Sequence, residues 1–121
     1  MVIYECIKIF TLKGDRRKMA IIDVSIVPIG TETPSVSAYV ANIHKVLEKY
    51  KGEVKYQLTP MNTIIEGELP LLLQVVQEMH EVPFENGISR VATTIRIDDR
   101  RDKKSTMEGK LASVQAKLDQ N

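Results

Sequence analysis

Residues 60–67 have the sequence PMNTIIEG, and the interpretation of the whole chain depends on this stretch. Its β-branched residues, placed between a proline and a glycine, predict a β-strand. Alternation leaves two registers open for the side chains that face away from the helices. They are either Asn62, Ile64 and Glu66, or Met61, Thr63 and Ile65. Because buried polar groups need hydrogen-bond partners, we expect the polar side chains of this strand to face a ligand pocket.

The composition predicts one domain with an aliphatic core, since the chain has 121 residues, of which 43% are hydrophobic and only 5% are aromatic. The net charge is +1, which argues against nucleic acid or an anionic membrane surface as a partner. The single cysteine, Cys6, excludes an internal disulfide and a zinc site built from several thiolates. This cysteine usage fits the reducing cytoplasm, which is the expected location. No apolar run approaches the roughly 20 residues that span a bilayer, and we expect no membrane partner.

Residues 1–18 differ from the rest of the chain. An apolar run at 2–10 precedes a charged run at 13–18, which is the reverse of the order in a signal peptide. Two interpretations of this extension remain open. The extension is either a genuine edge strand or arm, or an upstream continuation of the reading frame before a native start at Met19. The second interpretation rests on residues 16–19, whose sequence is what a purine-rich ribosome-binding site gives when it is translated in frame. Residues 19–121 are expected to form the domain.

From Met19 onward, the pattern predicts the element order β-α-β-β-α-β-α. Alternating apolar residues predict strands at 20–28, 54–58, 60–67 and 89–98, and apolar residues at a period of about 3.6 predict the helices. The first helix is expected to begin at a Thr33 N-cap, and the second to stop before Pro83. The last helix is expected to begin with a capping box from Ser105 to Glu108.

Two β-α-β halves joined by a hairpin define the ferredoxin-like α+β sandwich. We therefore expect a four-stranded antiparallel sheet in the order 4-1-3-2, with both helices on one face and an extra C-terminal helix. The other face mixes apolar with polar residues, as Ile21, Asp23 and Arg96 illustrate. Because such a face is seldom left bare, we expect a second copy to cover it in a two-fold homodimer or a homotetramer.

Enzyme motifs are absent from the sequence, which has no phosphate-binding glycine loop, no H-E-x-x-H and no C-x-x-C. The first, third and fourth predicted strands contain no aromatic residue, which argues against an RNA-recognition module. His44 and His80 fall on different helices. His44 is interpreted as a surface or flanking residue in preference to a ligand, and for His80 a functional role is the less favoured of two open interpretations. We expect a non-catalytic binding protein that uses neither a metal nor a cofactor.

Glu66 is the leading candidate for a ligand contact, because a carboxylate prefers a cationic or amino-bearing partner. The alternative is that Arg90 or Arg96 neutralises Glu66. Ser37 lies near the start of the first helix, where free backbone N–H groups favour an anion, although helix capping explains this serine equally well.

Four motifs together resemble a known family. They are VPIG at 27–30, SVS-x-YV at 35–40, PM-x-T-x-IEG at 60–67 and RV-x-T-x-I-x-ID-x-R at 90–100. In combination and order they are similar to the small thiamine-binding proteins of the YkoF-like type. The resemblance implies a ferredoxin-like fold, dimers through sheet faces, often tetramers, no catalysis, and thiamine or its pyrimidine part as ligand. Asn62 stands where this pattern leads us to expect glycine.

We therefore expect a binding protein for thiamine or a related pyrimidine or thiazole metabolite, with the pocket at a sheet-to-sheet dimer interface. In this interpretation the protein serves vitamin metabolism. The alternatives are an ACT-like small-molecule-sensing module that acts on a partner protein, and a small enzyme of unrecognised type. The expected ligand-binding residues are Ser25, Ser37, Asn62, Thr63, Glu66 and Thr94.

Overall fold

A computed structural model of the chain describes residues 19–120, so the predicted extension at 1–18 lies outside the described residues. The elements are β1 (Met19–Ile29), α1 (Ser37–Glu48), β2 (Lys55–Leu58), β3 (Thr63–Glu68), α2 (Leu69–Glu85), β4 (Arg90–Asp98) and α3 (Met107–Asp119). The strands form a four-stranded antiparallel sheet in the order β2-β3-β1-β4. The predicted ferredoxin-like fold is therefore confirmed, together with its strand order.

The core lies between one face of the sheet and the helices α1 and α2. Ile22 of β1 and Ile65 of β3 are opposite each other in the sheet, and both are fully buried. Leu47 of α1 and Leu72 of α2 belong to the same cluster of buried side chains. Branched aliphatic residues suit this position because they pack well on a pleated surface. The two helices and the central strands thus form one continuous hydrophobic core.

The register of β3 follows from its pairing with β1. Thr63 lies opposite Val24, and Glu66 lies opposite Ile21. Val24 is buried in the core, so Thr63 also points toward the helices. Ile64 and Glu66 point to the other side of the sheet, which we call the open face. The first of the two registers considered from the sequence is therefore the observed one, and Thr63 and Glu66 lie on opposite faces.

The predicted start of α1 at a Thr33 cap is wrong, because the helix begins at Ser37. The Thr33 hydroxyl donates to the Ser35 carbonyl at 3.3 Å, so it serves a local turn instead of the helix. Val36 occupies the N-cap position and offers no side-chain hydrogen bond. Short hydroxyl side chains form such turns as readily as they cap helices.

The predicted end of α2 before Pro83 is also wrong, since the helix continues to Glu85. Pro83 removes the one backbone hydrogen bond that its N–H would donate, but the helix ends two residues later, so the interruption is confined to its last turn. Its ring is buried, which offsets part of that cost.

The third helix is capped one residue later than predicted. Thr106, and not Ser105, is the N-cap residue, and its Oγ1 accepts a hydrogen bond from the Gly109 N–H at 2.9 Å. No residue of α3 is buried, and Leu111, Val114 and Leu118 are each more than half exposed. The docking of this stripe on another surface stays a prediction. Within residues 19–120, none of the helices has the length and hydropathy needed to cross a membrane.

Candidate ligand pocket

A pocket of about 240 Å³ lies at one end of the sheet, between the second half of β1, the turn from β2 to β3 and the start of α1. Its walls are mainly aliphatic and come from residues of both layers: Val24, Ile26, Val36, Val40, Ile43 and Met79. Leu58 and Met61 also line it and remain 55% and 86% exposed. The pocket is therefore apolar inside, and exposed aliphatic side chains of the turn form its rim.

Three of the predicted ligand-binding residues line this pocket: Ser25, Asn62 and Thr63. Thr59 lines it as well and fixes the Asn62 amide, because its hydroxyl lies 2.7 Å from Asn62 Oδ1 and donates to it. The Asn62 Nδ2 group is then the donor that this side chain can offer to a ligand. Among residues 19–120, no side chain that lines the pocket carries a charge.

His44 of α1 positions Thr63 at the base of the pocket. Its Nε2 lies 3.2 Å from Thr63 Oγ1, and Thr63 is only 6% exposed. Burial lowers the pKa of His44, while the charge of Glu48 on the same helix acts in the opposite direction. A neutral imidazole is thus the partner of the Thr63 hydroxyl. The sequence interpretation treated His44 as a surface or flanking residue; the signal for its role is its place beside Ile43 on the buried stripe of α1.

The other three predicted residues lie elsewhere. Ser37 is the exposed first residue of α1 and does not line the pocket. Thr94 is exposed and faces away from the helices, opposite Ser25 across the β1–β4 pair. Glu66 also lies on the open face, nearer the start of β1. The structure therefore brings half of the predicted set together and separates the other half.

Glu66 is almost completely buried, at 2% exposure, although it lies on the open face. Burial raises the pKa of its carboxyl, and the nearby charge of Glu108 adds to this increase. Lys55, the backbone N–H of Met107 and Lys104 act in the opposite direction. The Met107 contact shows that the start of α3 lies over Glu66.

The prediction that Arg90 or Arg96 neutralises Glu66 is wrong. The Nε of Arg96 donates to Asp23 Oδ2 at 2.8 Å, on the side of β1 that pairs with β4. Arg90 lies opposite Ile29, at the far end of β1 from Glu66. Both arginines are on the edge strand β4, which β1 separates from β3.

The fold places the chain in the class of small ferredoxin-like proteins. The pocket at one end of the sheet has aliphatic walls, and this pocket supports a small-molecule-binding role. The sequence profile of the family described as "thiamine-binding protein" matches residues 22–115. The UPF0045 protein YqgV of Bacillus subtilis (strain 168) is 66% identical over 102 residues, which cover 83% of this chain and 98% of YqgV. The chain belongs to the thiamine-binding protein family, as the motif resemblance predicted.

Solved structures share this fold. A protein of Methanocaldococcus jannaschii is 35% identical and superposes with a TM-score of 0.73 over 81% of this chain and 97% of that chain. A Thermotoga maritima protein, named as a candidate for thiamine biosynthesis or salvage, is 21% identical with a TM-score of 0.66 over 79% of this chain and 98% of its own. At that level of identity the second likeness shows the shared fold alone.

Proposed function

We propose that the chain is a non-catalytic binding protein for thiamine or a related pyrimidine metabolite, and that the pocket at the end of the sheet holds the pyrimidine ring. The observation that carries this proposal is the lining of the pocket, which in the described part of the chain consists of aliphatic walls with a few uncharged polar groups. A neutral heterocycle fits such a pocket without leaving a buried charge unpaired. The cationic thiazolium ring and any phosphate of a thiamine derivative then lie outside it.

The polar groups match a ring that both accepts and donates hydrogen bonds. Asn62 Nδ2 donates to a ring nitrogen, because its Oδ1 is already bonded to Thr59. The hydroxyl groups of Ser25 and Thr63 serve the exocyclic amino group or the second ring nitrogen. Asn62 thus adds a specific donor at a position where the family pattern led us to expect glycine.

Calorimetric titration with thiamine and with hydroxymethylpyrimidine tests this function. We expect both to bind, and the variants Thr63→Val and Asn62→Ala each to weaken binding roughly 2- to 10-fold, the loss of one neutral hydrogen bond. Thr94→Val is the matched control, since Thr94 is exposed and outside the pocket. The proposal fails if neither compound binds at millimolar concentration, or if the Thr94 variant weakens binding as much as the other two.

The homodimer expected from the sequence belongs to the same proposal. Ser25 and Val27 line the pocket and lie on strand positions of the open face, so a second copy on this face would border the pocket. Val27 is 47% exposed, and the apolar side chains Leu111, Val114 and Leu118 of α3 are also more than half exposed. We infer that sheet-to-sheet association is driven by the removal of these apolar side chains from water.

Analytical ultracentrifugation tests the assembly. We expect the full chain to sediment as a dimer or tetramer, and Val27→Glu to shift it toward the monomer because the charge would be buried. Ile95→Glu is the matched control, as Ile95 has a similar exposure of 38% but lies opposite Val24 on the helix side of the sheet. A monomeric wild-type chain, or equal effects of the two variants, contradicts the sheet-to-sheet dimer.

A further inference from the structure

A second cavity, of about 490 Å³, lies beside the start of β1 and β2 and shares none of its lining residues with the first pocket. Its charged lining residues are Glu53, Lys55, Glu66, Glu68 and Lys104. Glu66 and Glu68 are two positions apart on β3, so both side chains point to the open face. The cavity therefore carries charged groups in its lining, in contrast to the first pocket, whose described lining residues are uncharged.

One oxygen of Glu66 distinguishes this cavity from an ordinary charged surface hollow. Glu66 is 98% buried, yet its Oε2 has no hydrogen-bond partner among the described residues. Buried side-chain oxygens nearly always have a partner, and the cost of lacking one is high for a carboxylate. Because Glu66 lines the cavity, a small rotation of its carboxylate offers this unsatisfied oxygen as an acceptor to a group that enters.

The neighbouring cations do not fill this position. Lys55 donates to Glu108 Oε1 at 3.2 Å, on the side of α3. Lys104 lines the cavity and acts on Glu66 through its charge, but it makes no hydrogen bond to Oε2. Glu68 and Glu53 add negative charge to the same lining, which favours a positively charged ligand.

We propose that Glu66 Oε2 accepts a hydrogen bond from the ammonium or amidinium group of a small molecule, in a second binding site that is independent of the ring pocket. A protonated nitrogen supplies the missing donor and compensates the buried charge in one contact, which is the strongest kind of hydrogen bond in proteins. The acidic pair on β3 then acts as the recognition element, and the first turn of α3 covers the bound group.

Heteronuclear NMR of the full chain tests this site with n-butylamine, which is protonated at neutral pH, and with 1-butanol as its uncharged counterpart. We expect n-butylammonium to cause saturable shifts at the amides of Glu66 and Met107, and butanol to cause none. Glu66→Gln should weaken the amine at least about tenfold, since it removes the charge but keeps the shape. Glu78→Gln is the matched control, because Glu78 lies on α2 outside the cavity.

The variant Lys104→Met tests whether the Glu66 carboxylate binds an external cation or only pairs with Lys104. If the cavity takes an external cation, removal of the competing lysine tightens n-butylammonium binding; weaker binding overturns the proposal. Equal binding by Glu66→Gln and the wild type, or no saturable shift above about 10 mM amine, also overturns it. Glu66→Gln should leave the affinity for hydroxymethylpyrimidine unchanged, so failure here is distinguishable from failure of the proposed thiamine function.

Discussion

Replacing Ile65 by alanine is expected to lower the free energy of unfolding by roughly 2–5 kcal/mol, the usual cost of truncating a fully buried isoleucine. Ile65 has no exposed surface and lies between Ile22 on β1 and Tyr56 on β2, beneath both helices. The cavity left by the missing methyl groups cannot collapse easily, because rigid strands flank it on both sides. Urea denaturation followed by circular dichroism measures the change from the shift in midpoint.

Ile64→Ala is the matched control for this prediction, since Ile64 is the preceding residue of the same strand. Its side chain lies on the open face and is only partly buried, so we expect a loss of about 1 kcal/mol or less. Both variants should be compared at a protein concentration below that at which the chain associates. Equal losses for Ile64 and Ile65, or a larger loss for Ile64, would contradict the observed register of β3.

Replacing Glu66 by glutamine is expected to change the pH dependence of stability. Because burial raises the pKa of Glu66 above its ordinary value of 4.5, the folded state prefers the protonated carboxyl. The resulting stabilisation is present below pH 4.5 and is lost as the pH rises through the raised pKa. Glutamine mimics the protonated form at every pH, so the variant should gain stability relative to the wild type as the pH rises from 4.5 through the raised pKa.

At neutral pH the free energy of unfolding of Glu66→Gln should exceed that of the wild type by less than the roughly 1–3 kcal/mol that an unsatisfied buried polar group costs. The gain is only a part of this cost because the glutamine side chain keeps the contact with the Met107 N–H. Chemical denaturation at several pH values measures the difference between the two proteins. Glu78→Gln provides the comparison, because Glu78 Oε1 accepts from the Tyr50 hydroxyl at 2.6 Å and Oε2 lies 3.5 Å from Lys49 Nζ. A wild-type protein that becomes more stable than Glu66→Gln with rising pH would show that Glu66 has a cationic partner.

A carboxylate that reduces stability and also binds a ligand would be an example of a site that trades stability for function. The two Glu66 experiments are linked, because an ammonium ligand favours the ionised carboxyl and should therefore stabilise the wild type more at neutral than at acidic pH. The variant should show no such dependence on the ligand.

The sequence interpretation of the fold depended on short-range patterns and was accurate where those patterns are strong. Alternation predicted the strand that contains Ile22 and Val24, and the helical period predicted the helices that contain Leu47 and Leu72. All four side chains are buried. Helix ends were predicted less well. Thr33 and Ser105 are good capping residues by type, but which hydroxyl meets a free backbone N–H depends on the path of the preceding loop.

The candidate site could be predicted only in part. Polar residues in a central strand marked Asn62, Thr63 and Glu66 as unusual, and each proved to lie at a pocket or cavity. Thr63 and Glu66 lie on opposite faces of the sheet, which alternation along one strand could not show, because it does not tell which face meets the helices. The contact of His44 with Thr63 was equally out of reach, since it joins residues of two different elements.

The amino-acid sequence by itself determined the element order, the ferredoxin-like topology and the family, because these follow from local periodicity and from motifs in a fixed order. Only the tertiary structure decided that Thr63 faces the helices while Glu66 faces the open side, three residues further along the same strand. The physical reason is that a shift of one residue in strand pairing exchanges the two faces of a strand, and that shift is set by packing against β1. The burial of Glu66 has a similar origin, as its carboxyl is covered by the start of α3, about 40 residues later in the chain.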